Sequence, residues 1–374
     1  MEFNIDRKFF FDQLSTVARA ISPFSPLPAL SGILIDVQPD RIILTGSDSN
    51  IAIRSVITPG ELNRLEIVST GTISVESRFL LDIVRKLDSK DVRFALVDHT
   101  LVRLTNENGC YNINSSPADE YPPVDFSRPE GSFTLKPEEF QNIVAQTAFA
   151  CSDKDQRPVL NGVNFQAKGS KLYCTGTDAY RLARKTTNLD SDQDFDITIS
   201  AKSLNEVVKS LNSSMDKLEV YADHRKVQFI FDKTIFQSRL LDGSFPNISA
   251  IIPKTSIAEL DVNTAELSRA IERTNFMRNE NVHLVQFDCS DKGVRLKVRA
   301  NEIGNSDELL MDAKWTGDPL TVTLNGSYVL DALKALRGER TTFKFSGTLK
   351  PILMSDGKDE NTIMVVVPVR THTM

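Results

Sequence analysis

The side chains that most often carry chemistry are thinly spread in this sequence. His99, His224, His283 and His372 lie far apart, without the close spacing that gathers metal ligands. Cys110, Cys151, Cys174 and Cys289 form no C-x-x-C pair; in a reducing compartment they are expected as buried, unpaired thiols. No G-x-x-x-x-G-K-[ST] loop, G-x-G-x-x-G turn, H-E-x-x-H helix or G-x-S-x-G elbow occurs. The chain therefore offers no recognisable phosphate cradle, zinc-protease pair or nucleophile elbow. Carboxylates are plentiful, but among 50 acidic residues any two can be paired on paper. The expectation is a protein with no catalytic residues, metal or cofactor, whose function lies in what it binds.

The elements that would position binding residues come from the pattern of the chain. Its 374 residues exceed one ordinary core and suit two or three domains. Apolar residues make up 40% and charged residues 25%, as in ordinary globular chains. The start, Met1-Glu2-Phe3-Asn4-Ile5-Asp6, lacks the basic and apolar regions of a signal peptide. No run approaches the roughly 18 apolar residues of a membrane span. A cytoplasmic protein with no membrane partner is expected. The formal charge of −6 argues against a simple basic footprint for nucleic acid.

The chain repeats itself. Leu30-Ser31-Gly32-Ile33 matches Leu160-Asn161-Gly162-Val163, and Leu44-Thr45-Gly46-Ser47-Asp48 matches Cys174-Thr175-Gly176-Thr177-Asp178, both at an offset of 130. Six amphipathic helices are expected, on the stripes Phe10/Leu14/Val17/Ile21, Phe79/Ile83/Leu87, Phe140/Val144/Thr147, Leu204/Val208/Leu211, Leu267/Ile271/Thr274 and Val329/Leu333/Leu336. Asp6 is a candidate N-cap, Pro137 a first helical residue, and Asn263 with Glu266 has capping-box spacing. Alternating β-branched stretches between the helices, such as Lys226-Val227-Gln228-Phe229-Ile230-Phe231, read as antiparallel strands with one buried face.

The anchors Phe9, Phe79, Phe140, Leu204, Leu267 and Val329 are 70, 61, 64, 63 and 62 apart. Six helix-plus-strands units of roughly sixty residues pair into three similar domains, 1–128, 129–254 and 255–374. The fold class is α+β. With helices about 10 Å apart on one wall of a closed ring, six would leave a bore of only about 10 Å and twelve one of roughly 28 Å. Duplex DNA, roughly 20 Å across, fits only the second, so a ring would need two chains. The six helical segments carry a formal +2 together, leaving −8 elsewhere. That direction suits a neutral-to-basic lining and an acidic exterior.

At Thr177-Asp178-Ala179-Tyr180-Arg181-Leu182 the sequence resembles the bacterial sliding clamp family, the beta subunits of DNA polymerase III. Leu160-Asn161-Gly162, Asp242-Gly243-Ser244-Phe245-Pro246 and Val365-Val366-Val367-Pro368-Val369-Arg370 match further family segments, and the resemblance spans the chain. It departs at Phe24 and Ala250, where some members carry Arg, and in the added Thr371-His372-Thr373-Met374. The resemblance implies a head-to-tail homodimer ring with helices lining a channel for double-stranded DNA. Further implied partners are a clamp loader complex, the replicative polymerase alpha subunit, and other replication and repair proteins.

The resemblance also implies a peptide pocket. One subsite or its rim would take Leu160, Thr177, Leu182, Pro246, Ile251, Pro351, Val365 and Val367. A shallower one would take Tyr180, Arg181, Asn325, Tyr328, Pro368, Val369 and Arg370, while Asp178 is read as structural. Arg78, Lys154 and Lys202 match or resemble DNA-facing positions, and Tyr111, Ile113, Phe276 and Met277 match the dimer interface.

Overall fold

The computed structural model describes residues 1–374 apart from 23, 24, 26, 155, 213, 214, 279–281, 358 and 371–374; Phe24, His372 and the segment 371–374 thus lie outside the described residues. The chain packs as two compact units. One comprises Met1–Glu138 with Glu206–Leu240, the other Glu139–Asn205 with Leu241–Met374.

All six expected helices are present: α1 (Arg7–Ala18), α2 (Ser77–Lys86), α3 (Pro137–Thr147), α4 (Ala201–Ser210), α5 (Thr264–Arg273) and α6 (Gly326–Leu336). Their ends follow the chemistry of the sequence. The Asp6 carboxylate accepts from Phe9 N at 2.8 Å and starts α1. Pro137 opens α3, where a missing N–H costs nothing. Asn263 accepts from Glu266 N at 3.0 Å, but the capping box is not reciprocal. Glu266 instead accepts from Met311 N and Asp312 N at 2.6 and 2.8 Å. Two stripes need correction. In α2 the buried face is Leu80 and Val84, with Phe79 49% exposed. In α4 it is Leu204 and Val207 rather than Val208. A neighbouring apolar residue supplied a second, equally regular stripe in each helix.

The first unit is built on one antiparallel sheet of 13 strands. Its core includes Phe3 stacked on Phe94, ring centroids 4.9 Å apart, and Phe10 edge-on to Phe3 at 5.6 Å. Each fully buried ring of this kind contributes roughly 1.5–3 kcal/mol. The second unit holds sheets of seven and four strands, with Phe287, Phe343 and Phe345 in its core.

The sheets cross the expected domain boundaries without a break. In the first unit, Ile51–Ile57 pairs with Thr234–Arg239, from Ser55 opposite Thr234 to Ile51 opposite Ser238. In the second, Arg181–Ser200 pairs with Thr362–Val366, from Arg181 opposite Val366 to Lys185 opposite Thr362. Backbone ladders therefore join stretches that the repeat assigns to successive domains.

The thiol expectation also needs correction: Cys110 is exposed and Cys151 half-buried, while Cys174 and Cys289 are buried. Among the described residues, no helix is long and apolar enough to cross a membrane.

Candidate functional site

The Thr177–Arg181 turn joins the two long strands Gly162–Thr177 and Arg181–Ser200. Thr177 Oγ1 donates to Arg181 O at 2.6 Å and accepts from Ala179 N at 3.2 Å. Asp178 Oδ1 accepts from Tyr180 N and Arg181 N, both at 2.9 Å. Ala179 sits at φ +77, a left-handed position that such side-chain bonds stabilise. The same bonds recur 130 residues earlier. Ser47 Oγ donates to Ile51 O at 3.0 Å and accepts from Ser49 N at 3.1 Å. Asp48 Oδ1 accepts from Asn50 N and Ile51 N, and Ser49 has φ +77. The turn is thus a scaffold common to both copies, and Asp178 belongs to it.

What differs between the copies is what projects from the turn. Tyr180 and Arg181 replace Asn50 and Ile51. Tyr180 is 62% exposed. Arg181 is fixed on three sides. Its Nε donates to Asp178 Oδ2 at 3.0 Å, its Nη1 to Asp331 Oδ2 at 2.6 Å, and its guanidinium faces the Tyr328 ring at 4.4 Å. Tyr328 and Asp331 lie one turn apart on α6, which Asn325 caps by accepting from Ser327 N at 3.0 Å. Burial, then Asp178, holds the Tyr328 hydroxyl above its ordinary range. Phe149, Cys151, Leu160, Tyr180, Arg181 and Tyr328 line one cleft of about 660 Å³. Burial pushes the Cys151 thiol up to about 12, so it stays protonated at neutral pH.

The C-terminal tail is tied to both sides of this region. Val367 N donates to Tyr180 O at 2.9 Å, and Val369 N to Thr323 O at 2.8 Å. Pro368 and Val369 are half-buried, and Arg370 is exposed.

Of the expected pocket residues, Leu160, Tyr180, Arg181 and Tyr328 meet in this cleft. Asn325 contributes as the helix cap. Leu182 and Val365 sit opposite each other on adjacent strands, and with Thr177 they are buried. Ile251, Pro351 and Val367 are half-buried. Pro246 lines a different cleft, of about 630 Å³. Asp331 and Phe149 were not anticipated; the signal for Asp331 was its i+3 spacing from Tyr328 on one helical stripe.

Lys154 lines the Arg181 cleft. Arg78 and Lys202 are exposed on α2 and α4. Tyr111 is 43% exposed on the strand Cys110–Pro117, while Ile113, two residues on and therefore on the same face, is 7% exposed. Phe276 is 64% exposed, and Met277 packs partly against the core of its own unit.

Family models describing the N-terminal, central and C-terminal domains of the DNA polymerase III beta subunit match residues 1–125, 134–247 and 249–370. The chain belongs to this family. A beta sliding clamp of Staphylococcus epidermidis and one of Bacillus subtilis are each 32% identical to it over 100% of both chains. The DNA polymerase sliding clamp structure from Bacillus subtilis superposes with a TM-score of 0.95 at 31% identity, covering 100% of both chains. A sliding clamp from Bartonella birtlesii bound to griselimycin matches at TM-score 0.92 and 26% identity, over 99% of this chain and 100% of that one. The fold is that of these clamps: α+β, with antiparallel sheets carrying paired helices.

Proposed function

We propose that this chain is a DNA polymerase processivity factor and not an enzyme. Two copies, each of three domains over 1–128, 129–254 and 255–374, close head to tail around double-stranded DNA in the cytoplasm. The tethered partners are the replicative polymerase alpha subunit and other replication and repair proteins, and a clamp loader complex places the ring on DNA. The family match over the whole chain supports this reading. Tyr111 and Ile113 of one copy would face Phe276 and Met277 of the other, with Arg78, Lys154 and Lys202 towards phosphates.

The observation that carries the tethering role is the cleft of Leu160, Tyr180, Arg181 and Tyr328 beside the tied-down tail. The aromatic and aliphatic wall of Phe149, Leu160, Tyr180 and Tyr328, set among polar groups that include Lys154, Arg157 and the oriented Arg181, suits a short flexible peptide with aromatic and aliphatic anchors. Two anchors at roughly 1.5–3 kcal/mol each contribute about 3–6 kcal/mol before the ordering cost of the peptide, so by themselves they give an affinity no tighter than tens of micromolar. That weakness lets partners exchange on one ring.

The test is calorimetric titration with the carboxy-terminal peptide of the polymerase alpha subunit. Sizing the same samples should give about 83 kDa, twice the chain mass of 41.7 kDa. Tyr180→Ala, and deletion of residues 367–374, should each abolish measurable binding while the dimer persists. Unchanged affinity in both variants would place the pocket elsewhere.

A further inference from the structure

The cleft that Pro246 lines contains an arginine without a counter-ion. Arg184 Nε is shut off from solvent and has no hydrogen-bond partner among the described residues. Its guanidinium lies 5.6 Å from the Tyr173 ring. Desolvation lowers its pKa, with Tyr173 in partial opposition. A buried donor left without a partner is unfavourable, since it has lost its water and gained nothing in return. The one carboxylate in the cleft, Asp196, is otherwise engaged: it accepts from Asn164 Nδ2 at 2.6 Å and Gln166 Nε2 at 2.7 Å.

The internal repeat supplies a control. Arg54 occupies the equivalent place 130 residues earlier, and its Nε is likewise buried and unpartnered. There the Phe126 ring covers the guanidinium at 4.0 Å, a cation–π contact, and the Asp36 carboxylate supplies a nearby negative charge. Arg184 has only the more distant tyrosine and opens on a cleft of about 630 Å³, within the usual range for ligand sites. A purely structural role would leave both arginines equally sealed.

The two clefts share the strand Arg181–Ser200, which carries Arg181 in one and Arg184 in the other. Thr175 pairs with Arg184 as Thr177 pairs with Leu182, so Arg184 and Leu182 share one sheet face, roughly 7 Å apart along the strand. Pro246, expected of the peptide pocket, lines the Arg184 cleft. Resting on the peptide-pocket reading, we infer that the Arg184 cleft receives an acidic side chain of the bound partner segment, next to its apolar anchor. A planar carboxylate matches the guanidinium fork. Lys168 and Asp196 line the same cleft and offset each other in charge, which leaves the guanidinium to make the directional contact.

The experiment uses full-length dimer and alpha-subunit peptides carrying Asp or Asn two residues before or after the apolar anchor. The wild type should prefer one Asp peptide over its Asn counterpart by about tenfold, as expected for a charge-assisted bond. Arg184→Gln should bring that ratio to about one, and Arg184→Lys should leave it in between. Thermal unfolding of both variants separates loss of fold from loss of the contact. The same ratio in wild type and Arg184→Gln would overturn the inference while leaving the peptide pocket intact. Failure of the wild type to bind any of the peptides would overturn both. Saturable binding of free glutamate that depends on Arg184, without a peptide preference, would reassign the cleft to small carboxylates and equally overturn it.

Discussion

Arg181 and Asp331 are 150 residues apart in the chain, yet Nη1 of one donates to Oδ2 of the other at 2.6 Å. The bond ties the turn to α6 and leaves one face of the guanidinium against Tyr328. Asp331→Ala should weaken peptide binding roughly three- to tenfold, as for one charge-assisted bond, with the dimer unchanged. Calorimetry on the variant checks this; an unaltered affinity would leave Asp178 alone as the residue that orients Arg181.

Dimerisation should depend unequally on Phe276 and Met277. Phe276 is largely exposed and Met277 packs on its own core. Phe276→Ala should give a monomer with normal thermal stability. Met277→Ala should also lower monomer stability, by about 1–3 kcal/mol. Analytical ultracentrifugation together with denaturant melts reads both. A Phe276→Ala protein that stays dimeric at nanomolar concentration would remove this residue from the seam.

DNA contacts that permit sliding must be weak and blind to sequence, which favours cations facing phosphates through water. Arg78→Ala with Lys202→Ala should reduce retention on circular DNA and flatten its dependence on salt by about one unit of slope per lost phosphate contact. Lys154 is a poorer probe, since it also lines the Arg181 cleft. A salt slope equal to that of the wild type would exclude these two side chains from the channel.

Asp6 links helix capping to acid stability. Burial alone would raise its pKa from 3.8, but the Phe9 N–H and Arg64, at 2.7 Å, outweigh it and the net shift is downward. A depressed carboxylate contributes stability that is present above its unfolded value and lost as pH falls through the folded one. Asp6→Ala should therefore cost about 1 kcal/mol at pH 7, and the difference should fade below pH 3.8. Urea melts across pH 2–7 measure it; a gap that persisted undiminished at pH 2 would remove the carboxylate charge from the explanation.

Much of the fold was legible because its signals are local. Asp6, Pro137 and Asn263 mark helix starts by chemistry confined to one turn, and all three start helices, although Glu266 turns to Met311 and Asp312 instead of closing the capping box. The offset of 130 between the Ser47 and Thr177 turns predicted duplicated geometry, and the same bonds form in each. What escaped was non-local. Pairing of Ser55 with Thr234 leaves no periodic trace in either segment. Nor does composition reveal that Leu182 and Val365 bury each other while Tyr180 stands out. The sequence does not single out Arg184 although its match to Arg54 lies in the same repeat, because what differs is what folding brings to each: a close Phe126 ring and Asp36 at one, the more distant Tyr173 ring at the other.

The unbroken ladders across the expected domain joints have a mechanical consequence. Parting Ile51–Ile57 from Thr234–Arg239, or Arg181–Lys185 from Thr362–Val366, would expose a row of backbone donors and acceptors all at once. Neither joint can act as a soft hinge. Each joint is thus latched along its whole ladder, so bending within either unit must break several backbone bonds together rather than one at a time.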